Sequence, residues 1–267
     1  TTEIYTLSLH DALPILQSLP VSGFQIKTGK VVKSGIAACD FDVMLDKDHE
    51  NHDHDMKYLH GHNENTAGES EIHIHEHGIA DHACAHETES VHCHHHHEHR
   101  GVKEIAHIIE HSAMTDNAKK LALRIFEILA EAESKAHDVP VEQVHFHEVG
   151  AVDSIVDIVS VAVCLDNLDI TDVVVPVLYE GCGTVRCQHG ILPIPVPAVA
   201  NVISANHLCI KVTAVEGELV TPTGAAIVAA IRTKDKLPEE FEIKKIGIGA
   251  GKRQYECPGI LRAMIIS

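Results

Sequence analysis

A motif rich in histidine and acidic residues, near the middle of the 267-residue chain, is the strongest candidate for metal chemistry. It reads His145-Phe146-His147-Glu148-Val149-Gly150, and Asp153 and Asp157 follow. On an extended segment His145 and His147 point to the same side, and a neighbouring carboxylate can complete a metal site. Asp153 and Asp157 share one face if they lie on a helix, whose N-terminus favours a negative charge at Asp153. The alternative is a first-turn helix charge beside two hydrogen-bonded loop histidines.

The second candidate is the stretch from Gly181 to Pro197, which is dense in glycine and proline. Its glycines allow the backbone to approach a ligand closely and its prolines restrict the path of the chain, so we expect a pre-shaped loop. Arg186 is its single guanidinium and could bind a phosphate or a carboxylate through two parallel hydrogen bonds. The stretch also offers two thiols and one imidazole, from Cys182, Cys187 and His189. A structural loop with buried thiols is the alternative.

Two further stretches could bind phosphate. In the first, Thr221 can cap a helix that begins at Pro222, and Gly224 and the alanines that follow it leave the helix N-terminus open to an anion. A plain capped helix is the alternative there. The second runs from Gly247 to Arg253 and alternates glycines before two cations. Because no helical pattern follows, it is neither a P-loop nor a dinucleotide fingerprint.

Histidine is strongly clustered: of 24 histidines, 16 lie between His49 and His99. The surrounding His-rich tract, residues 46–100, has few large apolar side chains and is predicted to be a disordered insertion. Neutral imidazoles bind Ni²⁺, Cu²⁺ and Zn²⁺, and the tract offers many overlapping ligand sets, including His94, His95, His96 and His97. This composition favours metal capture and buffering, with compositional drift as the alternative.

The elements that must position these residues indicate an α/β fold with a mixed sheet and packed helices. Residues 19–45 are predicted to form a hairpin or part of a sheet, because apolar residues alternate with glycines. The other predicted elements are helices around Ile105–Ile109, from Thr115 or Asp116 to about His137, at Val152–Leu168 and at Pro222–Ile231; strands at Val173–Val177 and Leu208–Val215; and a strand with a Gly-rich turn over Ile243–Arg253. Residues 1–18 resemble a translated adapter, so 19–45 and 101–267 are expected to form one domain.

Composition excludes several function classes. The formal charge of −18 argues against a nucleic-acid partner. No run approaches the ~18 apolar residues of a membrane span, and no secretory signal is visible, so we expect a cytoplasmic protein without a membrane partner. The eight cysteines are expected to be reduced thiols. The sequence leaves open a homo-oligomer.

Three motifs in order resemble the LarC family of nickel-insertion proteins. They are VHFHEVGAVDSIVDIV at 144–159, GCGTVRCQHGILPIPVPA at 181–198 and ELVTPTGAA at 218–226. The resemblance extends from about Leu19 to Arg253, and a His-rich insertion before a helical pair is also a trait of that family. It implies a nickel chelatase, a metal-inserting lyase that loads Ni²⁺ into pyridinium-3,5-bisthiocarboxylic acid mononucleotide. The product is the nickel-pincer cofactor of lactate racemase.

The resemblance also implies cofactors, and the motifs suggest a role for each candidate residue. The family uses CTP with Mn²⁺ or Mg²⁺, bound in a C-terminal domain that is missing or only begun here. We expect the His-rich tract to gather Ni²⁺ and an ordered site to receive it, formed by His145, His147, Glu148 and Asp153. The expected catalytic residues are His147, Glu148 and His189, and the expected phosphate-binding residues are Arg186, Thr221, Thr223 and Gly224. Two competing functions are a non-catalytic nickel or zinc store and a metal-dependent hydrolase with Glu148 as base.

Overall fold

The protein is a mixed α/β structure, as predicted from the sequence. The computed structural model describes residues 12–46, 100–146 and 152–267, and only the backbone of His145. The strands of this part are β1 (Phe24–Lys33), β2 (Ile36–Leu45), β3 (Arg100–Gly101), β4 (His145–Phe146), β5 (Leu178–Cys182), β6 (Thr184–Cys187), β7 (Gly190–Pro193), β8 (Ile210–Glu216), β9 (Ile243–Ala250) and β10 (Ile260–Ile266). Beyond residue 100 the helices are α1 (Val102–Glu110), α2 (Asp116–His137), α3 (Val152–Asn167), α4 (Pro197–Ala205) and α5 (Pro222–Ile231), with a 3₁₀ turn at Val141–Gln143.

The largest sheet has the strand order β1-β2-β9-β10. β1 and β2 form the predicted hairpin around Ser34 and Gly35, whose φ angles of 49° and 81° suit a tight two-residue turn. β2 runs parallel to β9, and β9 pairs with β10 in the antiparallel sense. The inward side chains Phe24, Ile26, Phe41, Val43 and Leu45 pack against the helical core.

Helix α2 lies at the centre of the core and contacts α1, α3, α4 and α5. It begins as predicted, because the Thr115 hydroxyl oxygen accepts a hydrogen bond from Ala118 N–H at 3.1 Å. That hydroxyl also donates to Asp166 at the end of α3, at 2.6 Å, so α2 and α3 run antiparallel. α3 is buried along most of its length, which confirms the prediction from its apolar residues. Ala12, Leu16 and Leu19, near the start of the chain, also belong to the core.

Three predicted elements differ from the structure. Val173–Val177 is not a strand: Val174 makes only an isolated bridge to Lys234, because the chain then leaves this partner and pairs with β8, where Leu178 N–H donates to Cys209 O at 2.8 Å. The predicted loop Gly181–Pro197 contains the end of β5 and the hairpin of β6 and β7. The predicted Gly-rich turn is mostly strand, because Gly247 and Gly249 lie within β9 and pair with β10. Among the described helices, none has the length and apolar character needed to cross a membrane.

Candidate functional site

Two of the predicted motifs meet at the carboxyl ends of β5 and β8. These strands are parallel neighbours, with Cys182 opposite Glu216, so the chain leaves both strands at the same edge. The backbone N–H of Gly217 donates to Cys182 O at 3.1 Å and joins the two segments. The carboxyl edge of parallel strands is a frequent place for ligand binding in α/β proteins.

A buried carboxylate, Glu180, holds this edge together and was not predicted from the sequence. Its side chain is fully buried, and Oε1 accepts hydrogen bonds from the N–H groups of Gly181 at 2.8 Å, Leu219 at 2.8 Å and Val220 at 3.1 Å. Oε2 has no hydrogen-bond partner within the described part of the chain. A Cβ at Gly181 would lie 1.8 Å from Gly217 O, so only glycine permits this approach. The sequence signal that could have revealed this buried carboxylate is the single charged residue in the strand sequence LYEGC.

The next turn leads into α5, whose start was a predicted phosphate site. Thr221 is the N-cap, as expected: its Oγ1 accepts from Gly224 N–H at 3.1 Å, and Pro222 occupies the first turn. The Gly224 N–H is therefore already engaged by the cap. An anion at this helix end would depend on Thr223 and on the positive end of the helix dipole.

A second buried network, also missed, connects this turn to the loop after β9. Arg253 Nη1 contacts Glu218 Oε2 at 2.7 Å, with side chains only 16% and 6% exposed, respectively. Burial alone would lower the pKa of Arg253, but the Glu218 carboxylate outweighs it and raises the pKa above its ordinary value. The Tyr255 hydroxyl donates to Glu218 O at 2.5 Å, and burial raises the pKa of Tyr255. Glu218 is the first residue of the motif ELVTPTGAA, but the sequence predicted no structural or chemical role for it.

The two cations after the Gly-rich strand thus have acidic partners. Lys252 Nζ lies 2.6 Å from Asp40 and 3.2 Å from Asp42, both on β2. Burial lowers the pKa of Lys252, but hydrogen bonds to these carboxylates produce a net rise. The ion pairs of Lys252 therefore connect the end of β9 to β2, and the ion pair of Arg253 connects the same loop to Glu218.

The start of α3 carries the acidic pair expected to contribute to metal binding. Asp153 Oδ1 accepts from Ser154 N–H at 2.9 Å. Desolvation by the surrounding protein, and then repulsion from Asp153, raise the pKa of Asp157 to about 7, although its side chain reaches the surface. This repulsion is consistent with the two carboxylates sharing one helix face.

Comparison with known proteins identifies the family. The sequence pattern of the family described as nickel insertion protein matches residues 6–267. The chain belongs to the nickel insertion protein family. A relative from Alkaliphilus metalliredigens is 49% identical over 252 residues, covering 94% of this chain and 52% of the relative. A relative from Geobacillus kaustophilus is 36% identical over 257 residues, covering 94% of this chain and 51% of its own length. Both are named pyridinium-3,5-bisthiocarboxylic acid mononucleotide nickel insertion protein.

The resemblance to nickel-insertion proteins is therefore confirmed. This member spans about half the length of the curated relatives it matches. No solved structure matches it significantly.

Several metal ligands expected for a nickel insertion protein lie outside the described residues. These are His147, Glu148, the side chain of His145, and His94, His95, His96 and His97. Among the side chains that the structure does describe, no group of three or more His, Cys, Asp or Glu residues could hold a metal ion. The roles assigned to these residues stay predictions.

The β6–β7 hairpin of this family member carries the remaining candidates. Arg186 lies opposite Ile191, and Cys187 opposite Gly190. His189 lies in the turn between the strands, and its ring packs 4.9 Å, centroid to centroid, from the ring of His137 on α2. Cys182 and Cys187 form no disulfide, and neither do the other described cysteines, Cys39, Cys164, Cys209 and Cys257. The contact with His137 was not predicted.

Proposed function

We propose that this chain is the nickel-handling part of a protein that inserts nickel into pyridinium-3,5-bisthiocarboxylic acid mononucleotide. The family supports nickel insertion, and relatives 49% and 36% identical to this chain carry this substrate in their names. The product would be the nickel-pincer cofactor of lactate racemase. Nickel is the substrate ion in this reaction, so the protein needs ligands that release it again.

The observation that carries the proposal is the position of β3 and β4. Arg100 pairs with Phe146, and Gly101 pairs with His145. His99, the last histidine of the His-rich tract, is the residue before Arg100, and His147 is the residue after Phe146. Covalent connectivity therefore brings the end of the tract and the start of the His147-Glu148 segment to neighbouring strand ends, which supports a direct transfer of Ni²⁺ from one to the other.

Asp153 is the expected ligand of the ordered site whose side chain the structure describes. It lies in the first turn of α3, two residues after the undescribed segment 147–151. Imidazoles of His145 and His147 with carboxylates of Glu148 and Asp153 form a mixed nitrogen and oxygen ligand set, which binds Ni²⁺ without the soft sulfur that would retain it. Such a set favours transfer to the sulfur atoms of the precursor.

The mononucleotide phosphate is proposed to bind at the carboxyl edge of β5 and β8. Thr221, Thr223 and Gly224 lie at the N-terminus of α5, and that end attracts anions. Arg186 on β6 adds a guanidinium. Glu180 supports the site indirectly, because its hydrogen bonds to Leu219 and Val220 hold the turn that leads into the helix.

The chemical step replaces a carbon–hydrogen bond of the precursor ring with a carbon–nickel bond, so a base must take the released proton. His147 or Glu148 would accept this proton beside the metal, and His189 would assist from the hairpin. We also propose that the whole protein uses CTP with Mn²⁺ or Mg²⁺, as the resemblance implies, and that it delivers the product to lactate racemase.

A nickel titration tests the ordered site. Arg100 is buried and belongs to β3, so residues 47–99 are replaced by a short Gly/Ser linker and Ni²⁺ binding is measured by calorimetry. We expect one tight site to remain, and Asp153→Asn to weaken it. The matched control is Asp169→Asn, just beyond α3. Loss of all tight binding in the shortened chain would show that only the tract binds nickel.

The competing function is a nickel or zinc store that performs no chemistry. It is favoured by the His-rich tract, whose many overlapping imidazole ligand sets suit metal capture without chemistry. Activation of lactate racemase by the complete protein, in a mixture of precursor, Ni²⁺ and CTP, separates the two functions. Insertion predicts activation that depends on this chain, and storage predicts none.

A further inference from the structure

Two histidines lie side by side at the C-terminal end of α1. His107 and His111 are one helical turn apart, and their ring centroids are 3.9 Å apart at an interplanar angle of 40°. Both residues are exposed, so an ion in solution can reach the two rings. The sequence analysis assigned no role to either residue.

A hydrogen bond fixes the tautomer of His111. Its Nδ1 lies 2.9 Å from the backbone oxygen of His107, and a carbonyl oxygen can only accept, so Nδ1 carries the proton. In the neutral ring the lone pair is then on Nε2. Histidines that bind metal ions usually donate their other ring N–H to a carbonyl or a carboxylate in this way. The backbone of α1 therefore holds the His111 ring with the Nε2 lone pair available to a metal ion.

We propose that His107 and His111 together bind one divalent transition-metal ion. Two histidines at this spacing on one helix face are the pair that binds zinc in the H-E-x-x-H motif. With metal–nitrogen bonds of about 2.1 Å, neighbouring ligand nitrogens lie about 3 Å apart, a separation that rings already in contact reach by side-chain rotation. Among the described side chains no third His, Cys, Asp or Glu completes a metal-binding group, so water fills the other coordination positions. An ion held by two protein ligands exchanges readily.

The end of α1 also attracts positive charge. His107 lies in the last turn of the helix and His111 is its C-cap, where the negative end of the helix dipole stabilises a cation. One cation already binds there, because Lys119 Nζ donates to the backbone oxygen of Glu110 at 2.8 Å. Neutral imidazoles are suitable ligands for Ni²⁺, Cu²⁺ and Zn²⁺. The choice of nickel rests on the proposed function, whereas the pair of ligands does not.

This pair is distinct from the proposed transfer route. α1 begins directly after β3, the strand that pairs with His145. Counting from Gly101 at about 1.5 Å per residue, His107 and His111 lie roughly 9 and 15 Å further along α1. Metal–ligand bonds of about 2.1 Å are too short for an ion at the pair to share ligands with these strand ends. The pair therefore adds a separate, exchangeable position for nickel on the folded part of the protein.

Residue-resolved protection of histidines tests the pair in the complete chain. Histidines are modified with diethyl pyrocarbonate at increasing Ni²⁺, and the chain is then digested with trypsin. Cleavage after Lys103 and Lys119 releases the peptide 104–119, whose only histidines are His107 and His111. Fragmentation of this peptide in a mass spectrometer shows which ring carries the label. We expect both rings to lose reactivity with one common Ni²⁺ midpoint.

Two internal comparisons accompany this measurement. The exposed His207, just beyond α4, reports how a single surface histidine responds to Ni²⁺, and we expect its midpoint to be higher than that of the pair. His145 and His147 leave in a different tryptic peptide, so the proposed ordered site is measured independently of the pair.

Alanine variants show whether the two rings share one ion. His107→Ala should move the midpoint for His111 protection to Ni²⁺ concentrations at least about tenfold higher, because a second ligand on the same helix acts at a high effective concentration. The matched control, His207→Ala, also removes an exposed histidine and should leave this midpoint unchanged. An unaltered His111 midpoint in His107→Ala, or a wild-type pair that responds to Ni²⁺ as His207 does, would overturn the proposal, whatever the result for His145 and His147.

Discussion

Replacement of Glu180 by alanine is expected to lower the free energy of unfolding by about 3–6 kcal/mol. The fully buried Oε1 accepts the N–H groups of Gly181, Leu219 and Val220, and alanine leaves all three donors without this acceptor. A buried unsatisfied donor costs about 1–3 kcal/mol. Since Leu219 is only partly buried and water can enter the vacated volume, we assign about 1–2 kcal/mol to each donor.

Urea denaturation followed by circular dichroism measures this loss. Glu180→Gln retains an acceptor oxygen but not the charge, so we expect an intermediate loss, because bonds to a charged acceptor are about twice as strong. This variant keeps the test available if the alanine variant does not fold. The matched control is Glu216→Ala, whose side chain is exposed at the end of β8. If Glu180→Ala and Glu216→Ala agree within about 0.5 kcal/mol, the role assigned to Glu180 is refuted.

Three further predictions concern the same edge of the fold and the acidic pair. Arg253→Met should cost about 3–5 kcal/mol by removing the cation that pairs with the buried Glu218 carboxylate. Adding Glu218→Gln should recover part of this loss in urea denaturation, and additive losses would contradict the assigned pairing. Thr221→Ala should cost about 1 kcal/mol in thermal denaturation through the lost cap, and Thr221→Ser should restore it. From about pH 4 to 7 folded Asp157 retains a proton that the unfolded chain releases, so stability should fall slightly as pH rises, an effect limited by solvent screening. Asp157→Asn should remove this slope, and Asp153→Asn should lower the pKa of Asp157 in a carboxyl NMR titration; an unchanged pKa would contradict the assigned repulsion.

Elements with a local cause were predictable from the sequence. The N-cap Thr115 and the apolar face of α2 depend on residues that are close together in the sequence. The same is true of the N-cap and the first-turn proline of α5. The predicted strand at Val173–Val177 was wrong because the valines meet a partner only at Lys234, about 60 positions later, before the chain turns to pair with β8. Similarly, the glycines of β9 suggested a turn, whereas β10 pairs with them from further along the chain.

The site residues that were missed act across long sequence separations. Glu180 bonds to N–H groups 39 and 40 residues away, and Arg253 contacts a carboxylate 35 residues earlier. His137 meets His189 only because the β6–β7 turn packs against the end of α2. Residue type and spacing identified the motifs, but only the packing of β5 beside β8 shows which motifs share an edge.

The most direct test of the account is the position of nickel in a crystal of this protein grown with Ni²⁺, located by anomalous scattering at the nickel absorption edge. We expect a peak at the start of α3, within about 2.2 Å of an imidazole nitrogen of His145 or His147 and a carboxylate oxygen of Asp153. The account is contradicted if those three side chains lie too far apart to share an ion and nickel occupies only the His-rich tract.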